Sequence, residues 1–366
     1  MFHRPSLAAA LLLSAACAIP SPGSSSLEVA ATHERYGEAL KETGLDTTAL
    51  GRDWLAEADR ALREPFTAST PFIESGVFPA DRPTAVAYRL ELERGRRLSV
   101  EISFDSTEPG RLSVDLFQER EGDTPRRVGG SEAGQWSFEH DVRAAGTYIV
   151  RLQPELLRFG KYTVMQRSLA SYVFPIPGRS LAAVQSRFGA PRDGGARDHH
   201  GIDIFAPRGT PVIAIADGVV RIDDTPRGGR VVWLRDSRLS RNLYYAHLDD
   251  WAVENGVAVK AGDIIGFVGN TGNARTTPPH LHFGIYERGP TDPEPFLWRD
   301  DPHPSRILVS LDPLGDRLPD NGRVLAARRN EYRVLRGDGT FDLLSPRQLS
   351  TQLTSALSQR RRRLHA

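Results

Sequence analysis

Five of the ten histidines fall in three short stretches between residues 199 and 282, and their spacing suits chemistry. In "HHGIDIFAPRGTPV", His199 and Asp203 are four residues apart. On an extended chain an even spacing puts both on one face, which selects His199 over His200 as the partner of Asp203. In "TTPPHLHFGIY", His280 and His282 share one face of an expected strand, while Leu281 and Phe283 take the other. Two imidazoles buried together without an acceptor or a metal are costly. "YYAHLDD" puts His247 near the end of another expected strand. Singly, each pattern has a plain explanation: a surface His beside a turn Asp, a hydrogen-bonded structural His, a solvent-facing pair. Together they are more specific. Two neutral imidazoles and one carboxylate make an N/N/O set suited to Zn²⁺, with a fourth position left for a water whose pKa zinc lowers toward about 7. The two remaining histidines could take that water's proton and stabilise the oxyanion or the leaving amine.

"HHGIDIFAPRGTPVIAIADGVV", "YYAHL" and "GNTGNARTTPPHLHFGIY" occur in that order, and the stretch from about 172 to 300 resembles the lysostaphin-type (LytM-like) zinc metallopeptidases, which cut peptide bridges and stems in bacterial peptidoglycan. The resemblance implies zinc ligation by His199, Asp203 and His282 and catalytic roles for His247 and His280. It also implies a small antiparallel β-sheet domain with a groove over the metal. The two strand histidines then differ in function: His282 holds the metal and His280 works on the water beside it. Two positions depart from the family's usual pattern. Pro278-Pro279 stands where Gly-Pro is common, and Gly284 where an acidic residue is common. Neither removes a ligand.

The elements that must position these residues read as mainly β. With 366 residues, two or three domains are expected. Residues 27–75 form a short helical segment, with apolar residues at three- and four-residue spacing as far as Pro65. Residues 76–170 alternate apolar and polar residues between Gly, Pro and Asp, the pattern of a β-sandwich. Its strand rhythm resembles the jelly-roll accessory domains of secreted bacterial peptidases. "FPIPG" opens the metallopeptidase segment, 171–300, whose many short strands are punctuated by glycine. Residues 301–366 read as β-hairpin with a "GDG" turn, then a helix with Ser345 as N-cap and Pro346 in first position, then a basic tail, "QRRRRLH". That tail is either solvated or drawn to anionic lipid or wall polymer.

A formal net charge of +1 gives no basis for a nucleic-acid partner. The first 26 residues have a basic start, an apolar run from Leu7 to Ala16 that is too short to span a membrane, and a Pro/Ser-rich spacer. They read as a signal peptide, which places the chain in the cell envelope or outside the cell. The single cysteine, Cys17, can form no internal disulfide. "LSAAC" resembles a lipoprotein processing site that would make Cys17 a lipid anchor, although Ser14 stands where Leu is usual. Cleavage after Ala18 is the alternative. The expectation is a zinc endopeptidase acting on peptidoglycan peptides, with envelope partners reached through the sandwich. The competing readings are an envelope scaffold or activator that uses the groove only to bind, and a zinc protease of protein substrates.

Overall fold

The computed structural model describes residues 32–106, 112–132 and 135–364, with side chains to residue 355. The expected signal peptide and Cys17 lie outside the described residues. The helix Ala49–Arg63 begins where the Thr48 hydroxyl accepts from the Gly51 N–H, and it carries Arg60 and Arg63 in its last turn, where their charge opposes the helix dipole. Trp54, Ala58 and Ala61 recur at helical spacing and are buried. Trp54 donates from its indole nitrogen to the Pro154 carbonyl (2.8 Å) and stacks on His33 from the helix Thr32–Glu42. The expected helical pair thus packs its apolar stripe on a sandwich strand.

The sandwich has a five-stranded sheet ordered Phe66–Thr67, Val86–Leu92, Gly146–Pro154, Leu112–Arg120, Asp123–Gly130. It faces a seven-stranded sheet ordered Phe341–Leu344, Tyr332–Leu335, Arg323–Ala327, Phe72–Phe78, Gly160–Ala170, Arg96–Ser106, Phe138–Asp141. Alternate residues from both sheets, among them Tyr88, Leu116, Val150, Leu98, Val100 and Val164, fill one core. Burying each such side chain contributes roughly 1.5–3 kcal/mol.

The C-terminal hairpin belongs to this sandwich. Ala326 and Ala327 pair with Gly76 and Ser75, and Glu74 anchors the join. Its fully buried carboxylate accepts from Arg328 (2.8 Å), Arg333 (2.5 Å) and the Tyr88 hydroxyl (2.6 Å). The helix Pro346–Leu364 follows, with Ser345 and Gln348 capping each other: the Ser345 N–H donates to Gln348 Oε1 at 2.8 Å and the Gln348 N–H to Ser345 Oγ at 3.4 Å.

In chain order, between the two parts of the sandwich comes the third sheet, ordered Val184–Ser186, Ile202–Phe205, His280–Tyr286, Asn242–Trp251, Gly229–Asp236, Gly218–Thr225, Ala258–Val259. Ile264–Val268 pairs with Asn242–Trp251 and with Pro211–Ile213. Ile202, Ile204, Leu281, Phe283, Ile285, Leu243 and Tyr245 are fully buried on one face. Period-two alternation therefore presents Asp203, His280 and His282 on the other. Glu287, just past the histidine strand, accepts from Arg94 of the sandwich (2.6 Å) and from Arg241 (2.5 Å). The sandwich therefore grips the end of that strand remote from His280, roughly 20 Å away at 3.4 Å per residue. Among the described residues no helix is long and apolar enough to cross a membrane.

Candidate metal centre

Asp203 and His282 are direct cross-strand partners, and Phe205 is the partner of His280. The antiparallel pairing of Ile202–Phe205 with His280–Tyr286 therefore delivers the Asp203 carboxylate beside His282 and the Phe205 ring beside His280. His199 arrives from the turn before this strand. Gly201 and Gly284 permit that approach. A Cβ at 201 would lie 2.4 Å from the Phe283 carbonyl oxygen and 2.9 Å from the His282 ring, and one at 284 would lie 3.0 Å from the His200 carbonyl oxygen. The departure at Gly284 thus has a structural reason: a side chain there would press on the turn that carries His199. His200 is exposed and His199 buried, as parity required.

His199 Nε2, Asp203 Oδ1 and His282 Nδ1 converge at 2.9 to 3.0 Å from one another. His199 Nδ1 donates to the Arg187 carbonyl at 2.9 Å, so its Nε2 presents a lone pair. Burial favours the neutral form of His282. Burial alone would raise the Asp203 pKa, but its close contacts with His199 and His282 hold it well below the usual carboxylate range. At most one proton, on His282 Nδ1, is available to three converging acceptors. A divalent cation satisfies all three, and the N/N/O donor set is one that zinc favours.

The other two histidines are held by backbone carbonyls. His280 Nδ1 donates to the Pro278 carbonyl and His247 Nδ1 to the Thr271 carbonyl, each at 2.9 Å. Both Nε2 atoms are therefore free to accept a proton. The ring centroids of His247 and His280 are 5.1 Å apart, and His280 Nε2 lies 4.0 Å from Asp203 Oδ1. Pro278-Pro279 now has a local role: the residue before a proline is held extended, and here its carbonyl fixes the His280 tautomer. His247 is not near a strand end. It is the sixth residue of Asn242–Trp251, at an irregularity where its φ is +62°. Left-handed backbone is unfavourable for histidine, and such strain gathers at bulges that re-aim a side chain. Burial lowers the His247 pKa to about 4.

Arg192 was not anticipated. Its guanidinium donates to Asp203 Oδ2 and to Ser186 Oγ, both at 2.6 Å. No spacing rule flags this pair, because a short hairpin through Gly194 and Gly195 folds Arg192 back toward the site.

Residues 197–293 match the family model described as peptidase family M23. The chain is 38% identical over 146 residues to the L-Ala--D-Glu endopeptidase of Bacillus subtilis, covering 37% of this chain and 43% of that protein. It is 47% identical over 88 residues to the DD-carboxypeptidase/endopeptidase Mpg of Neisseria meningitidis, covering 24% and 20%. Its match thus spans less than half the length of these curated relatives. The solved catalytic domain of the antimicrobial peptidase lysostaphin from Staphylococcus simulans is 35% identical, covering 31% of this chain and 90% of that one, with a TM-score of 0.28. The segment that carries the metal centre, residues 197–293, is thus similar to peptidase family M23.

Proposed function

We propose that this protein is a zinc-dependent endopeptidase of the cell envelope that hydrolyses peptide bonds in peptidoglycan. The observation that carries the reading is the convergence of three ligand atoms beside two histidines whose Nδ1 atoms are each tied to a backbone carbonyl, which leaves both Nε2 atoms for chemistry. His199, Asp203 and His282 would hold the zinc ion. When bound, zinc supplies Lewis-acid polarisation and a water acidified toward neutrality. His280 accepts a proton at Nε2 from the attacking water, its ring fixed by the Pro278 carbonyl and stacked on Phe205. The proton taken up by His280 then passes to the leaving amine, and His247, its ring centroid 5.1 Å from that of His280, is placed to stabilise the tetrahedral oxyanion. Names of relatives that cut L-Ala–D-Glu or DD bonds support peptidoglycan as the substrate class.

In this reading residues 171–300 are the catalytic unit, residues 76–170 the sandwich that holds it, and residues 301–366 an extension that completes the sandwich sheet. The test is zymography of the full chain on purified peptidoglycan, with and without a chelator. Chelator-sensitive lysis is expected. Binding to the wall without lysis, by zinc-loaded protein, would favour the scaffold or activator reading instead.

A further inference from the structure

The face of the sheet that carries the metal centre continues into an aromatic surface that the proposed chemistry does not use. Tyr244 pairs across the sheet with Gly284 on one side and Trp233 on the other, and Tyr286 lies two residues beyond Gly284. Their rings form one cluster. Trp233 and Tyr244 have centroids 4.4 Å apart, Trp233 and Tyr286 5.3 Å, and Tyr244 and Tyr286 6.2 Å. The cluster reaches the metal centre, because the Tyr244 ring meets the His282 ring edge-on at 5.8 Å. All three side chains are half-buried. A purely structural cluster would be expected to seal its polar tips, yet among the described residues neither hydroxyl nor the indole N–H has a hydrogen-bond partner. None of the three is a fully buried unpaired atom either. A tyrosine hydroxyl is protonated at neutral pH, so both can donate.

An extended substrate advances about 3.4 Å per residue. A chain with its scissile bond at the metal centre would therefore place on these rings a group roughly two to four residues from the bond. Peptidoglycan stems carry no aromatic residue and few apolar ones. Their one flat group is the N-acetylated sugar at the start of the stem. Its C–H face can stack on a ring, and its hydroxyl and N-acetyl oxygens can accept from the open Tyr and Trp tips. We infer that Trp233, Tyr244 and Tyr286 form a subsite for the N-acetylated sugar of the glycan strand, so that the enzyme cuts stems still attached to sugar, at a bond near the sugar end. This inference rests on the proposed peptidoglycan reading for the sugar, and on the endopeptidase activity for its second clause only.

Two measurements test it separately. The first is calorimetric titration of the full-length, zinc-loaded protein with the N-acetylglucosaminyl–N-acetylmuramic acid disaccharide, which contains no peptide to cut. Binding by the wild type is expected, with loss in Trp233→Ala and in Tyr286→Ala. Tyr286→Phe, which keeps the ring and removes the hydroxyl, should weaken binding only in part, and it serves if an alanine variant fails to fold. The second compares cleavage of a stem peptide with and without its disaccharide. The wild type should favour the sugar-bearing stem by about tenfold or more in kcat/KM, and the variants should lose that preference while keeping their zinc content. No disaccharide binding, or binding unchanged in the variants, overturns the subsite. Disaccharide binding lost in the variants, with neither stem cut, upholds the subsite and overturns the endopeptidase reading. Equal cleavage of both stems by the wild type overturns the sugar-proximal cut.

Discussion

One guanidinium nitrogen of Arg192 lies 2.6 Å from Asp203 Oδ2 and 2.6 Å from Ser186 Oγ, while Asp203 Oδ1 faces the two histidines. The carboxylate is thereby split into one oxygen for the arginine and one for the metal. That division would leave Asp203 to hold a metal ion through Oδ1 alone. Arg192→Ala should weaken zinc retention roughly 10- to 100-fold in a chelator competition, the range typical of lost outer-shell partners. Arg192→Lys should recover part of that, since it restores charge but not the fork geometry. Unchanged zinc affinity in Arg192→Ala would remove the arginine from the account.

Substitutions at the five expected residues should separate into two classes. His199→Ala, Asp203→Ala and His282→Ala should lose zinc and peptidoglycan cleavage together. His280→Ala should keep zinc by metal analysis yet lose cleavage by about 100-fold or more, the lower end of general acid–base effects. Full muropeptide cleavage by zinc-free His282→Ala would refute the ligand assignment.

At position 247 two effects can be separated, because side-chain chemistry and backbone strain reside in one residue. His247→Ala and His247→Gly both remove the imidazole, so both should be inactive with zinc retained. With φ at +62°, however, glycine is at ease and alanine is not. The glycine variant should therefore be the more stable of the pair by about 1 kcal/mol in denaturant unfolding. Equal stabilities would mean that the bulge relaxes when the side chain is removed.

Glu74 makes stability depend on acid. Burial alone would raise its pKa, but the charges and hydrogen bonds of Arg333 and Arg328 outweigh that and lower it from 4.5. A lowered folded pKa stabilises fully above the unfolded value, and that contribution is lost as pH falls toward the folded one. Glu74→Gln leaves two arginines without their counter-charge and should cost about 3–5 kcal/mol at pH 7. The gap between wild type and variant should narrow below about pH 4.5, as read from melting temperatures across pH. A gap that stays constant would assign the loss to packing alone.

The features legible in the sequence were those set by local alternation. Leu281 and Phe283 had to be buried, so His280 and His282 had to share the opposite face, and parity likewise chose His199 over His200. What was not legible depended on partners far away in the chain or on irregular backbone. The strands Asp123–Gly130 and Phe138–Asp141 are short or polar and lie at sheet edges, so no apolar alternation marks them. The bulge at His247 leaves no trace in "YYAHLDD". The contact between Arg192 and Asp203 requires a hairpin that only the folded chain reveals. Nor could composition show that Arg323–Ala327 would pair with Phe72–Phe78, some 250 residues earlier.

That last pairing has a consequence for how the chain is made. Strand Phe72–Phe78 emerges early in synthesis, but the neighbour on its open side comes only after the whole catalytic sheet has been translated. Until then Glu74 lacks Arg328 and Arg333, and one edge of the sandwich stays uncovered, a site where another chain could add. Closing the sandwich therefore reports that translation has passed the peptidase segment. A product truncated near residue 300 would carry every proposed metal ligand and both further histidines on a scaffold missing its last strands, and would be exposed to proteolysis. The hairpin thus acts as a latch that the nascent chain reaches only once the catalytic sheet is complete.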